Sequence, residues 1–270
     1  MKTILFTNAR DETNILEWTI HHLNLKFDTI YIYDHISKIK IKSIIEKCRF
    51  TKKANVIVDE LNTNKINKKI LLNKALKYSK NHNYEWMLYL DADEFLILPN
   101  DENIIKFIKK YIDYQQICIN WLIFGSNYLE NAPNGTILEN YTRCDNILNR
   151  HVKPIIKVTK SIEYINPHIC KSLNPKLIID VNYNNLDENN LHFSNLEYDK
   201  ISNINKLNAY IAHYQFQSYE TYIKRKIFRN RDDGGGKWDN YDRITLHSIS
   251  NNTHNFFPKN KYNNNNKKYL

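Results

Sequence analysis

Apolar and polar positions along the first third of the chain repeat a strand-then-helix unit. Ile4-Leu5-Phe6 is short and wholly apolar, and Leu16, Ile20 and Leu23 then mark one face of a helix, with Asp11 placed as its N-cap. Residues 29–33, TIYIY, are β-branched and aromatic, which predicts a second strand ending at Asp34. Residues 39–48 predict a helix and 55–58 a third strand, and Ile66, Ile70, Leu72 and Leu76 predict a helix over 65–80. The fourth strand is the sharpest feature. Trp86-Met87-Leu88-Tyr89-Leu90 is apolar throughout, ends in Asp91, Asp93 and Glu94, and turns apolar again at Phe95. A run without alternation reads as a strand buried on both faces, as at the centre of a parallel sheet. The alternation as a whole predicts an α/β fold, one domain with a mostly parallel central sheet flanked by helices.

Further along, the pattern predicts a helix over 103–111 and a strand over 116–124, closed by Gly125-Ser126-Asn127. Residues 131–135 form a turn. Residues 152–158 predict an edge strand, because Pro154 has no N–H to give a ladder. A short strand from Ser161 leads to Asn166-Pro167-His168, and 177–205 read as irregular. Residues 207–214 are strand-like and carry His213; 218–230 predict a helix with Lys224, Arg225, Lys226 and Arg229 on a basic face, before a glycine-rich loop over 231–238. Residues 1–250 thus form the domain, and the Asn/Lys-rich residues 251–270 predict a disordered tail, since such composition buries little.

Composition narrows the chemistry. The 270 residues suffice for a sizeable core. The formal charge of +10 fits nucleic acid, an anionic membrane surface or a phosphate-bearing substrate, but the lysines form no dense block, so a solvated basic surface is the default and nucleic acid is disfavoured. Cys48, Cys118, Cys144 and Cys170 are widely spaced, which excludes a zinc ribbon, gives no disulfide framework and fits a reducing compartment. The first strand–helix turn contains no glycine, so there is no P-loop and no dinucleotide fingerprint; a nucleotide bound here needs a metal and basic side chains. The opening apolar stretch is too short for a signal peptide and no stretch is long enough to span a bilayer. The chain is therefore expected to be soluble and cytoplasmic, without a transmembrane anchor.

In open α/β sheets, ligands bind beyond the carboxyl ends of the strands. Asp91 and Asp93 stand two positions apart, so in extended chain their side chains leave one face and can converge on one cation. Three acids between apolar flanks are costly unless paired or metal-bound. A solvated acidic turn is the alternative; the apolar flanks on both sides favour a metal site.

NARDETNILEWTIHHLNLKFDTIYIYDHIS resembles the opening of family-92-like glycosyltransferases, the group related to family 2, through Asn8, Glu17-Trp18, His22, Tyr33-Asp34 and Ser37. YLDADEFL resembles that family's metal motif, and Trp121, Phe124-Gly125-Ser126, Lys153-Pro154-Ile155, Asn166-Pro167-His168 and AHYQFQSYETYIKRK follow in its order. The match spans roughly residues 3–230, and around Glu12 it is loose. The resemblance implies a GT-A fold and sugar transfer from a nucleotide-sugar, a UDP-sugar by expectation, to a glycan or glycoprotein, with Mn²⁺ or Mg²⁺ on Asp91 and Asp93. It implies a late histidine as a further ligand, His213 ahead of His168, with ordinary hydrogen-bonded histidines as the alternative. Asn8, Arg10 and Asp34 fall where that fold places nucleobase and ribose, and Asp91, Lys153, Lys224 and Arg225 near the diphosphate. An inverting transfer needs a carboxylate base, with Glu220 and Asp145 as candidates against helix-capping or surface roles. Trp121, Tyr128 and Trp238 are candidates to stack on sugars. Two other readings remain: nucleotidyl or phosphoryl transfer at the Asp-x-Asp site, and a basic nucleic-acid-binding protein on an inactive fold.

Overall fold

The computed structural model describes residues 1–63, 67–171, 174–186, 206–228 and 239–270. The alternation read from the sequence is present as β1 (Thr3–Ala9), α1 (Ile15–Asn24), β2 (Thr29–Asp34), α2 (Ile41–Lys47), α3 (Arg49–Lys53), β3 (Val56–Glu60), α4 (Lys68–Asn81) and β4 (Trp86–Tyr89). These strands run parallel in the order β3-β2-β1-β4. Every residue of β2 and β4 is buried, which explains their unbroken apolar runs. Alternate residues serve two cores: Ile4 and Phe6 join Tyr31, Tyr33 and Tyr89 on one face, while Leu5 joins Trp18, Ile30 and Leu88 on the other.

The chain continues through β5 (Glu94–Ile97), α5 (Ile104–Lys109), β6 (Gln116–Ile123), α6 (Ile137–Asn140), β7 (Arg143–Cys144), β8 (Asn149–Lys157), β9 (Glu163–Asn166) and β10 (Ile169–Lys171). It ends with β11 (Ile178–Asp180), β12 (Tyr210–His213), α7 (Tyr219–Tyr222), α8 (Arg243–Ser248), β13 (Thr253–His254) and α9 (Asn264–Lys267). The main sheet extends beyond β4 as β8-β6-β12-β5, with β11 on β6. β8 and β5 run against their neighbours and the rest run one way, so β1, β2, β4, β6 and β12 end at one edge. No helix among the described residues is long and apolar enough to cross a membrane.

Four expectations need correction. β8 is not an edge strand but lies between β4 and β6. Its ladder to β4 stops at Leu88–Ile155, immediately before Pro154, which limits the cost of the missing N–H. Asp91 and Asp93 do not stand on extended chain: β4 stops at Tyr89, the Glu94 N–H donates to the Asp91 carbonyl at 3.0 Å to close a turn, and β5 then pairs with β12. Asp11 does not cap α1. It takes a φ of 52° and accepts the Lys38 N–H, while Asn14 occupies the N-cap position.

Finally, residues 251–270 dock. β13 pairs with β7, Tyr262 packs on His21 with ring centres 4.8 Å apart, and its hydroxyl accepts the Leu98 N–H. The asparagines that suggested disorder are buried with partners: Asn263 accepts from Thr136 and Asn266 from Asn24. The predicted helix over 218–230 begins as α7 and continues as a π-helical turn, Ile223–Ile227. Arg229, the glycine-rich loop with Trp238, residues 65–66 and residues 187–205 lie outside the described residues.

Candidate functional site

The site grows from the turn after β4. Asp91 accepts at Oδ1 from Lys68 Nζ (2.5 Å) and at Oδ2 from Lys153 Nζ (2.8 Å). Lys153 arrives from β8, whose reversed direction brings it to the acidic turn, and it is 1% exposed. Its ammonium also lies 3.3 Å from Glu94 Oε2, and that oxygen accepts the Asp91 N–H at 2.9 Å. Lys68 opens α4; its ammonium bonds Asn8 Oδ1 as well and sits 4.5 Å from the Tyr89 ring centre. Burial alone would push the Asp91 carboxyl up, but Lys153 and Lys68 outweigh it and hold the group well below the usual carboxylate range. Glu94 is enclosed completely, and burial pushes it up to about 7 against the pull of Lys153.

Asp93 faces a different pair. Its Oδ2 lies 3.1 Å from Arg225 Nη2, and its Oδ1 lies 3.6 Å from His213 Nε2 at the end of β12. Arg225 bridges onward to Glu12 Oε2 at 3.1 Å. Burial disfavours the charged form of Asp93, yet Arg225 and then His213 hold its carboxyl far below the ordinary range. In an α-helix, consecutive residues diverge by a large angle; the wider π turn lets Arg225 and Lys226 both sit inward. Burial lowers the Lys226 pKa, and the charge of Asp93 opposes that. Four acids (Glu12, Asp91, Asp93, Glu94) therefore face four bases (Lys68, Lys153, Arg225, Lys226) in a mostly buried set. A cavity of about 560 Å³ adjoins it, lined by Glu12, Ser37, Ile41, Ile44, Arg225 and Phe228, with Glu12 and Arg225 common to cavity and cluster.

Of the residues expected at the site, Asn8, Asp91, Asp93, Lys153 and His213 come together, and Arg10 follows β1 at the same edge. Asp34 is 1% exposed, and its two oxygens accept the Ser37 and Ile41 N–H groups, so it braces the cavity wall from behind. Lys224 lines the cavity, not the cluster, and is an exposed side chain paired with Glu220. Glu220 also accepts the Ala132 N–H, and that bond with the Lys224 contact lowers its pKa, which makes it a poor base. His168 is not on Asp93; its Nδ1 bonds the Val152 carbonyl and its ring packs on Trp121. Trp121 stacks on His151 at 5.1 Å and meets His213 at 4.6 Å, so its ring is used in packing. Asp145 is half-buried at the end of β6, where its N–H bonds the Ile123 carbonyl and burial raises its pKa.

The motif residues on α1 brace the site from outside. Glu17 accepts the Ile137 and Leu138 N–H groups at the start of α6. The Trp18 indole donates to the Glu94 carbonyl at 2.7 Å, and His22 Nε2 accepts the Leu96 N–H. Sequence reasoning missed Lys68 and Lys226. Lys68 did leave a signal, because a lysine in the first turn of a helix opposes the macrodipole and needs a local reason. That reason is Asp91.

Among the described residues, no three His, Cys, Asp or Glu side chains converge as a metal-binding group. A hard divalent cation needs fewer, since it is often held by one or two carboxylates and completed by water and substrate phosphates. Asp91 and Asp93 offer that donor chemistry. The Lys68 ammonium between Asn8 Oδ1 and Asp91 Oδ1 shows that these oxygens already hold a positive charge. The residues present fit such a cation.

No curated protein matches the chain. Among solved structures it is similar to S. aureus TarS residues 1–349, with 19% identity and TM-score 0.37 over 58% of this chain and 47% of that one. It is also similar to HddC from Yersinia pseudotuberculosis (12% identity, TM-score 0.35, 62% of this chain and 75% of that one). A third is core-mannan synthase A from Aspergillus fumigatus in an Mn/GDP form (14% identity, TM-score 0.29, 47% of this chain and 44% of that one). The chain thus spans about half the length of the first and third. The profile of Glycosyltransferase family 92 matches residues 1–267, from β1 through α9, and the chain belongs to that family.

Proposed function

We propose that the chain moves a sugar from a UDP-sugar to a hydroxyl on a glycan or glycoprotein, with Mn²⁺ or Mg²⁺ entering alongside the donor. The observation that carries this reading is the balanced cluster of four acids and four bases beside a cavity large enough for a nucleoside. A diphosphate brought into a nearly neutral, mostly buried set arrives uncompensated, and a divalent cation brought with it restores the balance.

Asp91 and Asp93 would hold the cation, which supplies charge neutralisation on the departing diphosphate. Lys153, fixed between Asp91 and Glu94, presents a rigid positive charge to the same phosphates. Lys68 exchanges its hold on Asp91 for a phosphate oxygen, while Arg225 orders Asp93 and Glu12. The apolar wall of Ile41 and Ile44, steadied by Asp34, receives the nucleobase. The acceptor oxygen attacks the anomeric carbon opposite the diphosphate, inverting it, and a carboxylate takes its proton. With Glu220 committed to Lys224 and Ala132, Asp145 is the remaining candidate, and its raised pKa suits a base.

The test is a panel of radiolabelled nucleotide-sugars, with Mn²⁺ or EDTA, on wild type and Asp91→Asn. The expected result is Mn²⁺-dependent release of sugar from a UDP-sugar, reduced at least about a hundredfold in the variant, the scale of losing one charge-stabilising group. Absence of transfer or hydrolysis from every donor would overturn the reading.

A further inference from the structure

Residues 126–130 follow β6 at the same sheet edge as the acidic turn. Two consecutive non-glycine residues there, Asn127 and Tyr128, take φ of 53° and 60°, which side-chain-bearing residues seldom adopt. Such strain persists only where surrounding bonds over-determine it. Here they do. Asn127 Oδ1 accepts the Thr142 and Arg143 N–H groups at 3.1 and 2.7 Å, and its own N–H donates to Asn251 Oδ1 at 2.9 Å. The Tyr128 N–H donates to Ser126 Oγ at 3.2 Å, and that oxygen is 2.7 Å from His247 Nδ1. At Gly125 a Cβ would come within 2.5 Å of the Ser250 carbonyl, so only glycine admits this close approach.

All this fixing ends in an aromatic ring that is not buried. Tyr128 is 53% exposed and lies over Arg143, with the guanidinium carbon 5.0 Å from the ring centre. Nearby, Glu130 pairs with Arg243 Nε at 3.0 Å and with His247 Nε2 at 3.2 Å, and both Glu130 and Arg243 keep substantial exposure. The loop is also bolted to the reaction centre. The Leu129 and Glu130 carbonyls accept the Tyr219 and Glu220 N–H groups, each at 2.9 Å, and the turn that follows lays Arg225 on Asp93. The Phe124 N–H donates to the carbonyl of His213, the other partner of Asp93.

The geometry points to residues 126–130 as the acceptor subsite, with Tyr128 as the platform for a pyranose ring and Glu130 and Arg243 as partners for its hydroxyls. A pyranose has an apolar C–H face that suits an aromatic ring and a rim of hydroxyls that suits planar carboxylate and guanidinium groups. A ring held in one orientation before binding loses little entropy when sugar arrives, which gives the backbone strain a use. The proposal deepens the glycosyltransferase reading and rests on it for the word acceptor, since the loop by itself identifies only a sugar-binding surface.

The test is saturation-transfer NMR on the full chain with the methyl pyranosides of glucose, galactose, mannose and N-acetylglucosamine, with UDP binding followed in the same samples. Wild type should show ring-proton signals from at least one pyranoside. Tyr128→Ala should weaken that binding by about tenfold, the scale of one stacked contact, and Tyr128→Phe should keep it. UDP binding should be unchanged in both variants. Equal pyranoside signals in wild type and Tyr128→Ala, or none in wild type, would overturn the subsite, as would loss of UDP binding together with pyranoside binding in Tyr128→Ala. Pyranoside binding that depends on Tyr128 in a chain that ignores UDP would support the sugar surface while sinking the donor reading.

Discussion

Lys153→Met tests whether the buried charge network is what holds the acidic turn. Methionine preserves most of the lysine stem, so the change removes the ammonium with little loss of packing. The ammonium is 2.8 Å from Asp91 and 3.3 Å from Glu94; Lys153 is 1% exposed, while the Asp91 side chain keeps 38% exposure and so stays in reach of water. Removing one member of a buried ion pair costs about 3–5 kcal/mol. Two features place the loss near the lower end at neutral pH. Asp91 keeps Lys68 at 2.5 Å, and Glu94, already pushed up to about 7, takes a proton once the neighbouring charge is gone. The expected loss is about 3 kcal/mol near pH 7, growing toward about 5 kcal/mol near pH 8.5, where keeping Glu94 protonated becomes costly. Urea unfolding followed by far-ultraviolet circular dichroism at the two pH values reads this directly. A loss below about 1 kcal/mol at both would mean that the carboxylates are solvated and the network carries no weight.

Two further predictions concern stability. Burial pushes both Glu17 and Glu94 up to about 7 from 4.5, so across that window the folded chain holds protons that the unfolded chain has released, and stability falls as pH rises. His21 and His22, pulled down by burial, act in the opposite sense, but only up to their ordinary 6.5. From pH 6.5 to about 7 the carboxylates outlast the histidines, so urea titrations should show a decline there, levelling off above it, that Glu94→Gln flattens; an unchanged slope in the variant would contradict the assignment. Truncation after Ser250 removes Asn251 from the strained loop and uncovers the Tyr262 site, at a cost of about 2 kcal/mol or more from the tyrosine alone. A clearly lowered thermal midpoint is expected, and an unchanged one would show that the segment is dispensable.

Much of the fold was legible because its first half is built from local units. Each of β1 to β4 is followed or preceded by a helix with its own apolar face, so periodicity finds both. That the acids at the end of β4 need partners was legible for a similar reason, since three carboxylates cannot sit between apolar flanks alone; the partners described are lysines and an arginine, where the sequence reading favoured a cation. The pairing itself was not legible: the motif order put Lys153 and Arg225 near the diphosphate but did not say which acid each would hold. Lys68 and Lys153 reach Asp91 from positions 23 and 62 residues away, and Arg225 reaches Asp93 from 132. Nothing local in the sequence marks those distances. Pro154 misled because a proline was taken to exclude an interior strand, whereas the ladder to β4 simply ends before it. The tail misled because asparagine is polar on average, yet Asn263 and Asn266 each find a specific partner.

The central claim is that Asp91 and Asp93 receive a nucleotide diphosphate together with a divalent cation. Titration calorimetry of UDP into the chain, with Mn²⁺ or with EDTA, on wild type and Asp93→Asn tests it most directly. Mn²⁺-dependent UDP binding is expected in wild type and is lost in the variant while its thermal unfolding remains cooperative. UDP binding of equal strength with EDTA, or undiminished in Asp93→Asn, would contradict it.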